Sequence, residues 1–230
     1  MKKYLIAVVL AALALAAPRP AATQDIKEKL AAAKAAAAQN AQAMRSYSWL
    51  EKTELSLKGE VKSTKVDSCR YGPDGKVQKT PVVTPPPPEK KRGLKGKGIA
   101  KKTGEMKEEL ESAAALVQRY VPPSPDKMQV VMNAGTASLS QAGPGALALK
   151  FPGYEKSGDA LTLTFDTAVK ALRQINVATW LEKPEEAVTL NVTMQSLPDG
   201  LSYPGAIVMS IPSSNIEVRI TKSNYQKLAQ

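Results

Sequence analysis

The stretch AVTLNVTMQSLPDGLSYPGAIVMSI, residues 187–211, decides the fold because two alternating segments flank a tight turn. Pro-Asp-Gly at 198–200 supplies the turn, since Pro presets φ and Asp-Gly accepts tight backbone geometry. One wet face and one buried face are typical of antiparallel pairing. The stretch therefore predicts a β-hairpin. Its apolar side begins with Val188, Leu190, Val192 and Met194.

The same alternation extends in both directions along the chain. From about residue 145 it predicts a β-meander that includes GALALKF, DALTLTFD, RQINVATWL and NIEVRIT. Earlier, SYSWLEKTELSLKG, EVKSTKVDSCRY and KVQKTPVV predict three more strands, and Pro81 places the third at a sheet edge. In the first of these strands one face carries Tyr47, Trp49, Thr53, Leu55 and Leu57.

Two segments have helical periodicity instead. Residues 26–44 are rich in Ala, the best helix former, although the same tract could be a leader without fixed structure. Residues 104–121 carry an apolar stripe from Met106 to Val121 and end at a Pro-Pro pair. A short helical turn is predicted at 125–133. The expected fold class is α+β: a curved antiparallel sheet or incomplete β-barrel covered by two amphipathic helices.

The N-terminus predicts export. Lys2 and Lys3 precede a short apolar run, and small residues follow, which is the pattern of a secretory signal peptide over 1–22. The remainder, 23–230, is expected to be a single domain that is periplasmic or secreted. No second apolar stretch has the length of about 20 residues that a membrane-spanning helix needs.

A Pro/Lys-rich loop is predicted over 83–103, and it carries a cationic run without acidic residues. The run favours a solvated loop or the rim of the fold; the alternative is contact with an anionic membrane surface or envelope polymer. Nucleic acid is not an expected partner, because no aromatic side chains are interleaved and no module signature is present. The candidate contact residues are Lys90, Lys91, Arg92, Lys95, Lys97, Lys101 and Lys102.

The composition restricts the chemistry. The chain has a net charge of +11, no His and one Cys. Nucleophilic sites built on His and the usual zinc sites are thereby excluded. Asp74 and Asp199 are predicted to be turn residues, Asp159 lies at the start of a strand, and Glu185-Glu186 follows a Pro. We therefore expect no enzyme, no catalytic residues, no metal and no cofactor, and Cys69 is expected to be a bystander thiol.

The order of these elements resembles the outer-membrane lipoprotein carrier-like superfamily, or an uncharacterised exported bacterial relative of it. In such a protein YSWLEKTELSLKGEVKS would form paired strands after an N-terminal helix. The resemblance implies an incomplete barrel whose apolar concave face binds a lipid or acyl chain, or a sensor domain. The alternative is a structural or interaction module with a fully packed core that contacts a partner or anionic surface through its basic loop. Oligomeric state and ligand identity are left open. The candidate ligand-binding residues are Trp49, Leu55, Leu57, Leu110, Val117, Leu190, Val192, Met194 and Met209.

Overall fold

A computed structural model describes residue 35 and residues 37–83, 94–169 and 171–228, with the backbone alone for 83 and for 94–102. The predicted signal peptide, 1–22, lies outside the described residues. So do most of the first predicted helix and residues 84–93 of the Pro/Lys-rich loop.

Within the described residues, ten strands form one antiparallel sheet. The strands are β1 (Tyr47–Leu57), β2 (Glu60–Tyr71), β3 (Val77–Val83), β4 (Ser138–Gly143), β5 (Ala146–Pro152), β6 (Ala160–Asp166), β7 (Ala171–Trp180), β8 (Ala187–Ser196), β9 (Ser202–Ile211) and β10 (Ile216–Lys227).

The sheet joins the early and late strands. Its order is β3-β2-β1-β10-β9-β8-β7-β6-β5-β4, so it is not closed and its edges are β3 and β4. The junction is the β1–β10 pair, in which Leu55 lies opposite Val218. The predicted strands and the edge position of Pro81 are confirmed. Strand β4 was not predicted, because SLSQAG has no apolar alternation and an edge strand buries little.

One helix differs from the sequence prediction in its bounds, and the helical turn predicted at 125–133 is confirmed. Residues 37–44 are helical and are called α1 here; α2 is Leu94–Val117 and α3 is Pro125–Asn133, where Ser124 is the N-cap. The prediction of a loop through 103 and a helix from 104 is wrong at this point, because α2 begins ten residues earlier. Two glycines each disfavour a helix by about 1 kcal/mol, but strong helix formers surround them.

The buried core lies on one face of the sheet. Its strand residues alternate as the sequence predicts, and Ala113 and Val117 of α2 and Val131 of α3 belong to the same cluster. The α+β class with a large antiparallel sheet is thus confirmed, whereas a barrel-like curvature covered by two helices stays a prediction. The strand members are Phe151, Leu161, Leu163, Ile175, Val177, Val188, Leu190, Val192, Met209, Ile211 and Ile216.

Candidate functional site

One cross-strand row shows how burial changes across the inner face of the sheet. The row follows the strand register from β5 to β1 through Phe151, Leu161, Val177, Leu190, Met209, Val218 and Leu55. Exposure is 1% at Phe151 and 8% at Met209, and Val218 and Leu55 are only half-buried. The apolar face is therefore continuous, but its β10–β1 end is incompletely covered.

We call the half-buried part of this face the apolar strip: Leu55 and Leu57 of β1 with Val218 and Ile220 of β10. Leu55, Leu57 and Val218 pack against the core from its border, and Thr53 lies opposite Ile220. Along β1 the face from Glu51 to Leu57 measures about 20 Å, since a strand rises about 3.3 Å per residue. Of this length, the strip accounts for about 7 Å from Leu55 to Leu57, and Thr53 and Glu51 occupy the rest.

Beyond the strip, the same face carries charge, and we call this group the polar cluster: Trp49, Glu51, Lys65, Asp67, Lys79 and Lys222. Glu51 and Asp67 lie directly opposite each other on β1 and β2 and are 4% and 2% exposed. Two like charges in this position repel unless cations neutralise them. The neighbouring lysines supply that neutralisation.

Each carboxylate of the polar cluster has a lysine partner. Lys79 of β3 donates to Oε1 of Glu51, and Nζ of Lys222 lies 3.9 Å from Oε2. Nζ of Lys65 lies 2.9 Å from Oδ2 of Asp67. The side chains of Lys65 and Lys79 are each 45% exposed, so the cluster borders solvent beside the β3 edge.

Burial and charge shift the pKa values of three groups in or beside the cluster. Burial lowers the pKa of Lys222, and attraction to Glu51 offsets part of that effect. Burial also acts to lower the pKa of Lys79. The hydrogen bond from Lys79 to Glu51 and the attraction between their charges outweigh burial, so the pKa of Lys79 is raised. Burial raises the pKa of the Cys69 thiol, which therefore stays protonated and is a poor nucleophile.

Two buried polar atoms of the cluster have no hydrogen-bond partner among the described residues: Oδ1 of Asp67 and Nε1 of Trp49. Buried polar groups in folded proteins are nearly always paired, so two orphans on neighbouring strands need an explanation. Together they leave one acceptor and one donor without a partner among the described residues.

Aromatic rings enclose the far end of the cluster. The ring of Trp49 stacks on Tyr225 with a centroid distance of 5.6 Å, and Tyr71 lies 5.4 Å from Trp49. Asn40 of α1 exchanges two hydrogen bonds of 2.8 Å with the backbone of Ser202, which fixes α1 over the β8–β9 hairpin. Met44, also in α1, is buried. The aromatic end is thus closed, and the apolar strip leads away from it.

A second buried polar group, Tyr120, Asp159 and Thr179, is fully paired. Tyr120 donates to Asp159, and its hydroxyl oxygen lies 2.9 Å from Oγ1 of Thr179. The backbone N–H groups of Glu155 and Lys156 also donate to the carboxylate of Asp159. These contacts anchor the chain after α2 to the β5–β6 loop, which is a structural role.

The structure separates the predicted ligand-binding residues into four groups. Trp49 belongs to the polar cluster, and Leu55 and Leu57 belong to the apolar strip. Leu110 and Met194 pack against the core from its border. The fully buried members are Val117, Leu190, Val192 and Met209.

The predicted anionic-surface residues are only partly placed. Lys90, Lys91 and Arg92 lie outside the described residues. The first three turns of α2 contain the other four: Lys95, Lys97, Lys101 and Lys102. The expectation of contact with an anionic surface therefore stays a prediction.

Sequence reasoning missed the polar cluster. Glu51 is in phase with Trp49 and Leu55, so it had to face inward if they did. A charge at an inward position was the available signal. The lysine partners had no such signal, because their proximity depends on the pairing of β1 with both β2 and β10.

Other features of the described residues add little chemistry. They include no group of three or more His, Cys, Asp or Glu side chains that could hold a metal ion. No helix in this part of the chain is both long and apolar enough to cross a membrane. A depression of about 260 Å³ between the β1–β2 and β9–β10 turns is lined by Ser56, Gly59, Ser210, Asn215, Ile216 and Glu217.

No family model, curated protein or solved structure matches this chain.

Proposed function

We propose that the protein is a non-enzymatic envelope protein that binds the alkyl chain of a lipid, or another apolar ligand, along the apolar strip of a half-open barrel. The observation that supports this is the burial gradient along the inner row. The side chains of the row are buried at β5–β9 but only half-buried at Val218 and Leu55, on one continuous apolar face. Burying such a surface stabilises a complex by about 25 cal/mol for each Å² of apolar area.

Export to the periplasm or outside the cell belongs to the same proposal and rests on the sequence of 1–22. The likeness to lipoprotein carriers rests on the order of elements and is part of the proposal as well. In an exported protein, lipid chains are an available apolar ligand, and an anionic membrane is a surface that the lysines of α2 could approach.

The second candidate is an interaction module with a fully packed core. It is supported by the other end of the row, where Leu190 and Met209 share one cluster with Ala113 and Val117 of α2. At this end the apolar residues already have partners. The two candidates therefore differ in what the apolar strip does.

The test is binding of the neutral fluorescent probe N-phenyl-1-naphthylamine to the purified protein. The proposal predicts saturable binding that a medium-chain alkyl alcohol displaces. The double variant Leu55→Asn/Val218→Thr should weaken binding about tenfold, because it places polar groups in the strip. The matched control Leu50→Asn/Val61→Thr alters β1 and β2 on the outer face and should bind as the wild type does.

Two results would favour the packed module instead. One is the absence of saturable binding by the folded wild-type protein. The other is equal binding by the strip variant and the outer-face control, since that would place the probe elsewhere. Native mass spectrometry after purification from the envelope would then report whether a protein partner is retained.

A further inference from the structure

The two unpaired atoms of the polar cluster indicate which kind of chemical group would pair with both of them. Asp67 and Trp49 are 2% and 3% exposed, so bulk water does not reach them freely. Oδ1 of Asp67 needs a donor, and Nε1 of Trp49 needs an acceptor. An occupant that supplies only one of these would leave the other atom buried and unpaired.

The strand register places Asp67 and Trp49 on the same face of adjacent strands. Trp49 lies opposite Cys69, and Asp67 lies opposite Glu51, so Trp49 and Asp67 are diagonal neighbours on β1 and β2. Diagonal neighbours on one face of a sheet are about 7 Å apart. One small head with a donor and an acceptor a few bonds apart can reach both atoms.

Charge then separates the classes of head. The carboxylate of a free fatty acid has acceptors but no donor, and it would meet the buried anions Glu51 and Asp67. The neighbouring lysines are already engaged, because Lys79 and Lys222 face Glu51 and Lys65 faces Asp67. A hydroxyl or amide head satisfies Asp67 as donor and Trp49 as acceptor, and it adds no charge.

The position of the cluster fits an amphiphile. Glu51, Thr53, Leu55 and Leu57 follow one another on the same face of β1, so the cluster continues directly into the apolar strip. The half-exposed side chains of Lys65 and Lys79 border solvent beside β3. A chain on the strip would thus carry its head into the cluster.

We infer that the polar cluster is a headgroup subsite, and that it selects an uncharged amphiphile with a hydroxyl or amide head, such as a monoacylglycerol, over the fatty acid of equal chain length. The inference rests on the proposed function, because the chain must lie on the apolar strip. Asp67 provides the discrimination, and Trp49 provides the second hydrogen bond.

The experiment compares 1-myristoylglycerol with myristate by isothermal titration calorimetry on the full chain, below the aggregation concentration of both. The wild type should bind the glycerol ester about tenfold more tightly. Asp67→Asn keeps the shape but removes the charge and offers donors, so it should bind both ligands within about twofold. Asp126→Asn, an exposed carboxylate in the first turn of α3, removes the same charge elsewhere and should keep the wild-type preference.

The outcomes separate the two proposals. If both ligands bind the wild type equally, or myristate binds better, the headgroup subsite is wrong while the apolar strip stands. If Asp67→Asn keeps the wild-type preference for 1-myristoylglycerol over myristate, the headgroup subsite is also wrong. An ordered water would then be the partner of the two unpaired atoms. If neither ligand binds, the proposed function fails and takes this inference with it. If Asp67→Asn does not fold, the comparison of the two ligands on the wild type decides whether the headgroup subsite exists.

Discussion

The two ends of the inner face of the sheet differ in the side chains that they bury. At β5–β9 the strands bury apolar side chains against each other and against α2 and α3, and the polar group around Asp159 is fully paired. At β1–β3 the same face buries two carboxylates, and two of its polar atoms have no partner among the described residues. One end is therefore built as a core, and the other end retains unsatisfied chemistry, which is where a site is expected.

The largest expected effect tests the core end. Leu161→Ala removes a side chain that is fully buried between Phe151 and Val177 in the inner row. The free energy of unfolding should fall by about 2–5 kcal/mol, because the cavity adds to the lost transfer energy. Urea denaturation measures it. Val61→Ala, 56% exposed on the outer face, should change the value by less than about 0.5 kcal/mol. Similar losses in both variants would mean that burial does not separate the two faces.

A smaller effect tests the charged end. Glu51→Leu leaves Lys222, whose side chain is 18% exposed, without its anion, whereas the half-exposed Lys79 can turn to solvent. We expect a loss of about 2 kcal/mol. The double variant Glu51→Leu/Lys222→Met removes both buried charges and should recover at least half of that loss in the same denaturation experiment. Additive losses would show that Lys222 is stabilised by something other than Glu51.

The smallest effect is a pH dependence at Lys222. Because burial lowers its pKa in the folded state, the protonated amine destabilises the fold at neutral pH. This penalty disappears as the pH rises from the lowered pKa toward the unfolded value near 10.5. The wild type should therefore gain stability relative to Lys222→Met as the pH rises toward 10.5. Glu51, Lys79 and Cys69, which face Lys222, are present in both proteins. A constant difference across this range would mean that the amine is not desolvated.

The sheet was predictable from the sequence, but the polar cluster was not. Alternation along a strand is a local property, so Val188, Leu190 and Val192 reveal their burial without any knowledge of their partners. Antiparallel neighbours along the meander follow from short turns. The pairing of β1 with β10 has no local signal, and it alone brings Lys222 beside Glu51.

The start of α2 was mispredicted for a related reason. Gly96 and Gly98 weaken a helix locally, and the Pro run upstream suggested that the irregular segment continued. The core contacts that anchor the helix are made further on, by Ala113 and Val117. Helix stability in proteins comes mainly from such packing rather than from propensity, and packing partners are not visible in a single sequence.

The β1–β10 junction has a consequence for how the chain acquires its structure during synthesis. Leu57 pairs with Ile216, so the partner of the first strand is made 159 residues later. Until then the β1–β3 meander has an unpaired edge on each side, and Glu51 lacks its partner Lys222. Contacts of such long sequence separation slow folding. During synthesis from the N-terminus, all of β1–β3 is therefore made long before β10, the second neighbour of β1.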